Sequence, residues 1–137
     1  MGNSKTNRRS GRKDLVNIPV LIGECPTMNK AAFGKLEVLL DFKQATNYLE
    51  SIHEGSSKIL VTAGIDWSWT RILEHFEGVI TNQGTRVSRA AEVIAMMGKP
   101  GVLGTKKATE ILHSGTQAQI VCDGNEALVY FVHERPG

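Results

Sequence analysis

The sequence predicts an α/β fold in a single compact domain, and three observations carry that expectation. Short β-branched runs alternate with segments of helical periodicity from Leu15 onward. No stretch rich in proline, glycine or serine is long enough to divide the chain. The length of 137 residues, with 41% hydrophobic and 22% charged side chains, is that of one globular unit with one core.

Seven runs read as strands because they are short, rich in Val, Ile and Leu, and bounded by polar or turn residues. They are 15–22 (LVNIPVLI), 35–41 (KLEVLLD), 58–63 (KILVTA), 77–81 (EGVIT), 101–104 (GVLG), 116–122 (TQAQIVC) and 127–133 (ALVYFVH). Three helical segments lie between them. Behind Asp41, a side chain suited to accept from a first-turn amide, Phe42, Ala45, Leu49 and Ile52 recur at helical spacing. After Asp66, the residues Trp69, Ile72, Leu73 and Phe76 form a second core stripe, with Trp67 and Trp69 dividing between surface and core. The third helix opens at Ser88, expected to cap its first turn, and stops at Gly98, Lys99 and Pro100. Its buried face is expected from Ala91, Ile94 and Ala95, small enough to approach a sheet closely. ATEIL, 108–112, is helix-like as well.

Composition excludes several function classes. No run reaches the roughly 20 apolar residues of a membrane span, and the N-terminal stretch lacks the apolar block of a secretory signal, so the expected location is cytoplasmic and no membrane partner is expected. Cys25 and Cys122 stand far apart in sequence and read as two reduced thiols, with no disulfide framework and no metal site. The net charge is +2, and Lys5, Arg8, Arg9, Arg12 and Lys13 all fall within residues 1–14, which are expected to form a disordered basic tail ahead of the domain at 15–137. No aromatic residue interleaves with those charges, which argues against nucleic acid as a partner. No cofactor is implied.

The segment GVITNQGTRVSRAAEVIAMMGKPGVLGT, 78–105, sets a strand, a polar loop turning at Gly84, a helix start at Ser88 and a second short strand in succession. The first turn of a helix has unpartnered N–H groups and a partial positive charge, so a strand-loop-helix start is a common setting for an anion.

This segment resembles, without a gap, the pattern GIVTDxGGxTSHAAIVARELGIPAVVGT of the mobile phosphohistidine domain found in pyruvate phosphate dikinase, phosphoenolpyruvate synthase and the sugar phosphotransferase enzyme I. The similarity continues on both sides. KILVTAGIDWSWTRIL resembles DILVTPMTDPDWTPL, with Asp66, Trp69 and Thr70 in place and Trp67 and Arg71 where the family has prolines. KKATEILHSGTQAQIVCDGNEALVY resembles ATEVLKDGQEVTVDGDEGIVY, and Gly34 with Lys35 is similar to the family's SGKV strand start, with Pro26 upstream.

The resemblance implies the β/β/α swivelling-domain fold, in which a histidine at the helix start takes a phosphoryl group and moves between an ATP-grasp domain and a phosphoenolpyruvate-binding barrel. Here TSHAA is replaced by Val87, Ser88, Arg89, Ala90 and Ala91. A guanidinium stays protonated and offers no lone pair to phosphorus, so no catalytic residue is assigned at position 89. His53, His75, His113 and His133 all lie elsewhere, and Ser88 has no base beside it in sequence. The candidate ligand-binding residues are Gly84, Thr85, Arg86, Ser88 and Arg89, with phosphate or a phosphorylated molecule as ligand and an ATP-grasp or phosphoenolpyruvate-binding protein as partner. A cation in the first helical turn costs roughly 0.3 to 1 kcal/mol unless an anion is near, which favours a site there. The implied function is a non-catalytic binding or regulatory module; the alternative is the carrier component of a split phosphotransferase.

Overall fold

The computed structural model describes residues 18–27, 30–51 and 57–132. The basic tail, Ile52, His53 and His133 lie outside them.

Among the described residues seven strands form one mixed sheet: β1 (Leu21–Glu24), β2 (Ala31–Val38), β3 (Lys58–Thr62), β4 (Gly78–Thr81), β5 (Gly101–Val102), β6 (Gln117–Asp123) and β7 (Glu126–Phe131), in the order β1-β7-β6-β2-β3-β4-β5. β2 serves two half-sheets. Its first half pairs antiparallel with β6 over Ala31–Lys35, and its second half pairs parallel with β3 over Lys35–Val38. Gly34 stands at this change of partner, where an added Cβ would lie 2.6 Å from the Ser57 carbonyl oxygen. The strand therefore begins at Ala31 and not at the expected 35, because the glycine is a corner inside it and not its start.

The two half-sheets fold over one another and meet at a seam. Glu24 and Leu103 exchange both backbone hydrogen bonds, at 2.8 and 2.9 Å. Gly23 permits this, since a Cβ there would lie 2.4 Å from the Leu103 oxygen. One core fills the space between the half-sheets, with Leu36, Ile59, Val61, Ile80, Val102, Ile120 and Val129 among its members, and Ala108 and Leu112 plugging it. A second core lies between the parallel half and the helices, which gives the β/β/α layering.

The helices are α1 (Phe42–Glu50), a 3₁₀ turn Trp67–Trp69 leading into α2 (Thr70–Leu73), α3 (Arg89–Met97) and α4 (Ala108–Ile111). Asp41 caps α1 by accepting from the Gln44 amide at 2.8 Å. The stripe after Asp66 is buried throughout, but only part of it is α-helical: Trp69 ends the 3₁₀ turn and Phe76 lies past the end of α2. Trp69 packs edge-on against Phe42 at 5.5 Å, while Trp67 stays at the surface. On α3 the buried face comprises Ala90, Ala91, Val93 and Ile94. Ala95 is exposed, contrary to expectation, because the stripe facing the sheet is turned by one residue.

Cys25 and Cys122, distant in sequence, enter the same core as free thiols. Burial, reinforced by the neighbouring Cys25, pushes the Cys122 thiol up to about 12.

Candidate functional site

In β2–β5 the strands run parallel, so their carboxyl ends face one edge of the sheet. The segments that follow β3, β4 and β5 (63–66, 82–88 and 103–107) meet there, the position where α/β sheets generally bind ligands.

The loop after β4 is fastened on both sides. The Gln83 amide donates to the Ala63 oxygen at 3.0 Å, and the Lys106 amide donates to the Asn82 oxygen at 2.9 Å. The Asn82 side chain binds Thr109 twice, accepting from its amide and donating to its hydroxyl. Gly84 and Gly104 both have positive φ, at +103° and +73°. A Cβ on Gly104 would lie 2.6 Å from the Gly84 oxygen, so this close approach of two loops requires glycine.

All five expected site residues share this loop and the helix start. Ser88 occupies the N-cap position of α3 with extended backbone, but it makes no capping bond to the helix. Its hydroxyl instead donates to the Thr85 oxygen at 2.7 Å and accepts from the Thr85 amide at 3.1 Å. The expected cap is thus corrected: the local turn competes for the hydroxyl and wins. The Val87 amide donates to the Thr85 hydroxyl, and the Ser88 amide to the Thr85 oxygen. Arg86 and Arg89 are exposed, and Val87 between them is 85% exposed.

Two carboxylates join the cations. Glu24, from the seam strand, accepts from the Arg86 amide at 2.8 Å. Asp66 binds the hydroxyl and amide of Ser68, and these bonds, with a smaller contribution from the Arg89 charge, hold its carboxyl below the ordinary 3.8. Glu24 and Asp66 thereby offset part of the positive charge that Arg86, Arg89, Lys106 and Lys107 place at this edge. Neither acid was among the expected site residues: Glu24 falls just past the expected strand at 15–22, and Asp66 stood out only ahead of a helical stripe and as a match to the resembled segment. His75 and His113 are exposed at other places, and no group of three or more His, Cys, Asp or Glu suited to a metal occurs among the described residues.

The family model for the PEP-utilising enzyme, mobile domain, matches residues 54–127, spanning β3 through β6, the first two residues of β7 and the whole candidate loop. The chain belongs to that family. A phosphoenolpyruvate synthase from Aquifex aeolicus is 36% identical to this mobile domain over 103 residues, and one from Helicobacter pylori is 33% identical over 103 residues. Each match covers 74% of this chain but only 11% and 12%, respectively, of the relative, so the chain corresponds to about a ninth of those enzymes. Among solved structures, the solution NMR structure of a UPF0107 protein is similar over 80% of this chain and 97% of its own, at 16% identity and a TM-score of 0.49, too distant a likeness to carry an argument. No helix among the described residues of this mobile domain is long and apolar enough to cross a membrane.

Proposed function

We propose that this mobile domain is a non-catalytic docking module, in which the segment from Gly84 to Arg89 binds a protein partner instead of accepting a phosphoryl group. The observation that carries this reading is the composition of the edge itself. Val87 is 85% exposed between two arginines, and Leu40, Phe42 and Trp67 are 52%, 42% and 42% exposed on the neighbouring segments. Exposed apolar side chains set beside arginines have the composition of a protein-binding surface, whereas a free dianion would gain nothing from the apolar groups. Position 89, where the resembled pattern has histidine, holds a permanently charged guanidinium. The partner chemistry implied by the family is an ATP-grasp or phosphoenolpyruvate-binding domain.

The test is an amide NMR titration of the ¹⁵N-labelled chain, first with inorganic phosphate and phosphoenolpyruvate, then with the purified nucleotide-binding and phosphoenolpyruvate-binding portions of a phosphoenolpyruvate synthase. Shifts at Thr85–Arg89 with a protein portion are expected, weakened about tenfold or more by Val87→Asp, which puts a charge into the apolar contact. Shifts with phosphate alone would replace the docking reading by a small-anion site. A phosphoryl group gained in intact mass after incubation with phosphoenolpyruvate and the protein portions would restore the carrier alternative.

A further inference from the structure

Four consecutive amides, from Thr85 to Ser88, shape the candidate segment, and each has an acceptor. Three of the acceptors belong to the segment itself: the Ser88 hydroxyl, the Thr85 hydroxyl and the Thr85 carbonyl. Only the Arg86 amide reaches outside, to the Glu24 carboxylate at 2.8 Å. Glu24 is thus the one anchor that relates the shape of this turn to the rest of the fold through these amides.

Its location is costly for a strand residue. Glu24 stands directly opposite Glu126 in the β1-β7 register, and facing like charges destabilise a strand pair. Glutamate is also a poor strand former. The seam does not need the carboxylate, because Glu24 bonds to Leu103 through its backbone alone. What the carboxylate adds is a charge-assisted bond, stronger than a neutral one, to a loop 62 positions further along the chain.

We propose that Glu24 is the positioning residue of the docking segment: from the strand that closes the sheet, its carboxylate fixes the Arg86 amide and so sets the form in which Arg86, Val87 and Arg89 meet a partner. This rests on the docking reading above. A turn held in its bound form loses less conformational freedom on association, so the anchor strengthens docking without touching the partner.

The experiment compares wild type, Glu24→Gln and Glu24→Ala by amide hydrogen exchange and by affinity for the same purified synthase portions. In E24A the Arg86 amide is expected to exchange about tenfold faster or more, as for the loss of a bond to a charged acceptor, while the Leu103 amide at the seam changes far less. Docking should weaken by about tenfold, and E24Q, which keeps an acceptor oxygen, should fall between. Unchanged Arg86 exchange in E24A, or equal acceleration at Arg86 and Leu103, overturns the positioning role. Faster Arg86 exchange with unaltered affinity overturns its link to docking. Should E24A fail to fold, the near-isosteric E24Q decides: an upfield shift of the Arg86 amide proton beyond that of its neighbours supports the anchor, and its absence overturns it. Were wild type to bind neither portion, the docking reading would fail, while the exchange comparison would still decide what Glu24 does.

Discussion

In the parallel half of the sheet β3 and β4 are buried on both faces, whereas in the antiparallel half β6 alternates buried Ala118, Ile120 and Cys122 with half-buried Gln117, Gln119 and Val121. The helices make the difference, because they cover only the parallel half. A strand enclosed between two layers must be apolar throughout, and one with an open face can be polar at every second residue. All candidate site residues follow strands of the covered half. Crossing to a helix brings each parallel strand's loop to one edge, while the tight β6-β7 turn at Gly124 and Asn125 brings nothing comparable.

The largest effect that tests this comparison comes from truncation on the outer face. Leu60 points to the helices and is fully buried, so Leu60→Ala should cost about 2–5 kcal/mol. Gln119→Ala, on the open face of β6, should stay within about 0.5 kcal/mol. Urea denaturation measures both, and a large loss from the second change would show that the antiparallel face is covered by something.

Next in size are two glycines of similar backbone and unlike surroundings. Gly104 and Gly124 have φ of +73° and +66°, but a Cβ at Gly124 meets nothing within 4 Å whereas one at Gly104 would collide with the Gly84 oxygen. Gly124→Ala should lower stability by about 1 kcal/mol from backbone strain alone. Gly104→Ala should cost more, about 1–3 kcal/mol, and shift amide resonances across Gln83–Ser88. Equal costs would mean that the two loops do not depend on their close approach.

The smallest effect is at Asp66. Its carboxyl is held below 3.8, so folding binds fewer protons there than the unfolded chain does, and its contribution is present above that value and fades as pH falls through the lower, folded value. The group is solvent-exposed, which keeps the stability change slight. Carboxyl NMR titration should show the midpoint rising in Ser68→Ala, and rising less in Arg89→Gln. A larger rise in the second would mean that charge, and not the Ser68 bonds, governs the edge.

Much of the fold was legible along the chain. Six of the seven strands coincide closely or overlap broadly with an apolar run, and the first falls at the end of its expected run, since Leu21–Glu24 begins just inside 15–22. Asp41 announced its helix through a bond only three residues away, and Gly98 announced its stop by the left-handed backbone it adopts at +69°. The site was legible in part. Gly84, Thr85, Arg86, Ser88 and Arg89 form a continuous stretch, so their proximity needs no tertiary structure. The role of Ser88 was misjudged because its hydroxyl had two acceptable sets of local partners, and sequence does not rank them.

What the sequence determined by itself is whatever depends on near neighbours: strand and helix positions, caps, and the β4-loop-α3 segment with its arginine at 89. What only the tertiary structure decided is the company that segment keeps. Glu24 lies 62 residues before Arg86 and reaches it because the sheet closes through Gly23 and Leu103. Asp66 comes near Arg89 because parallel strands deliver their loops to one edge. Local pattern fixes which backbone form a segment takes, but long-range pairing fixes which charges face it, and at this edge it sets two carboxylates beside a basic helix start.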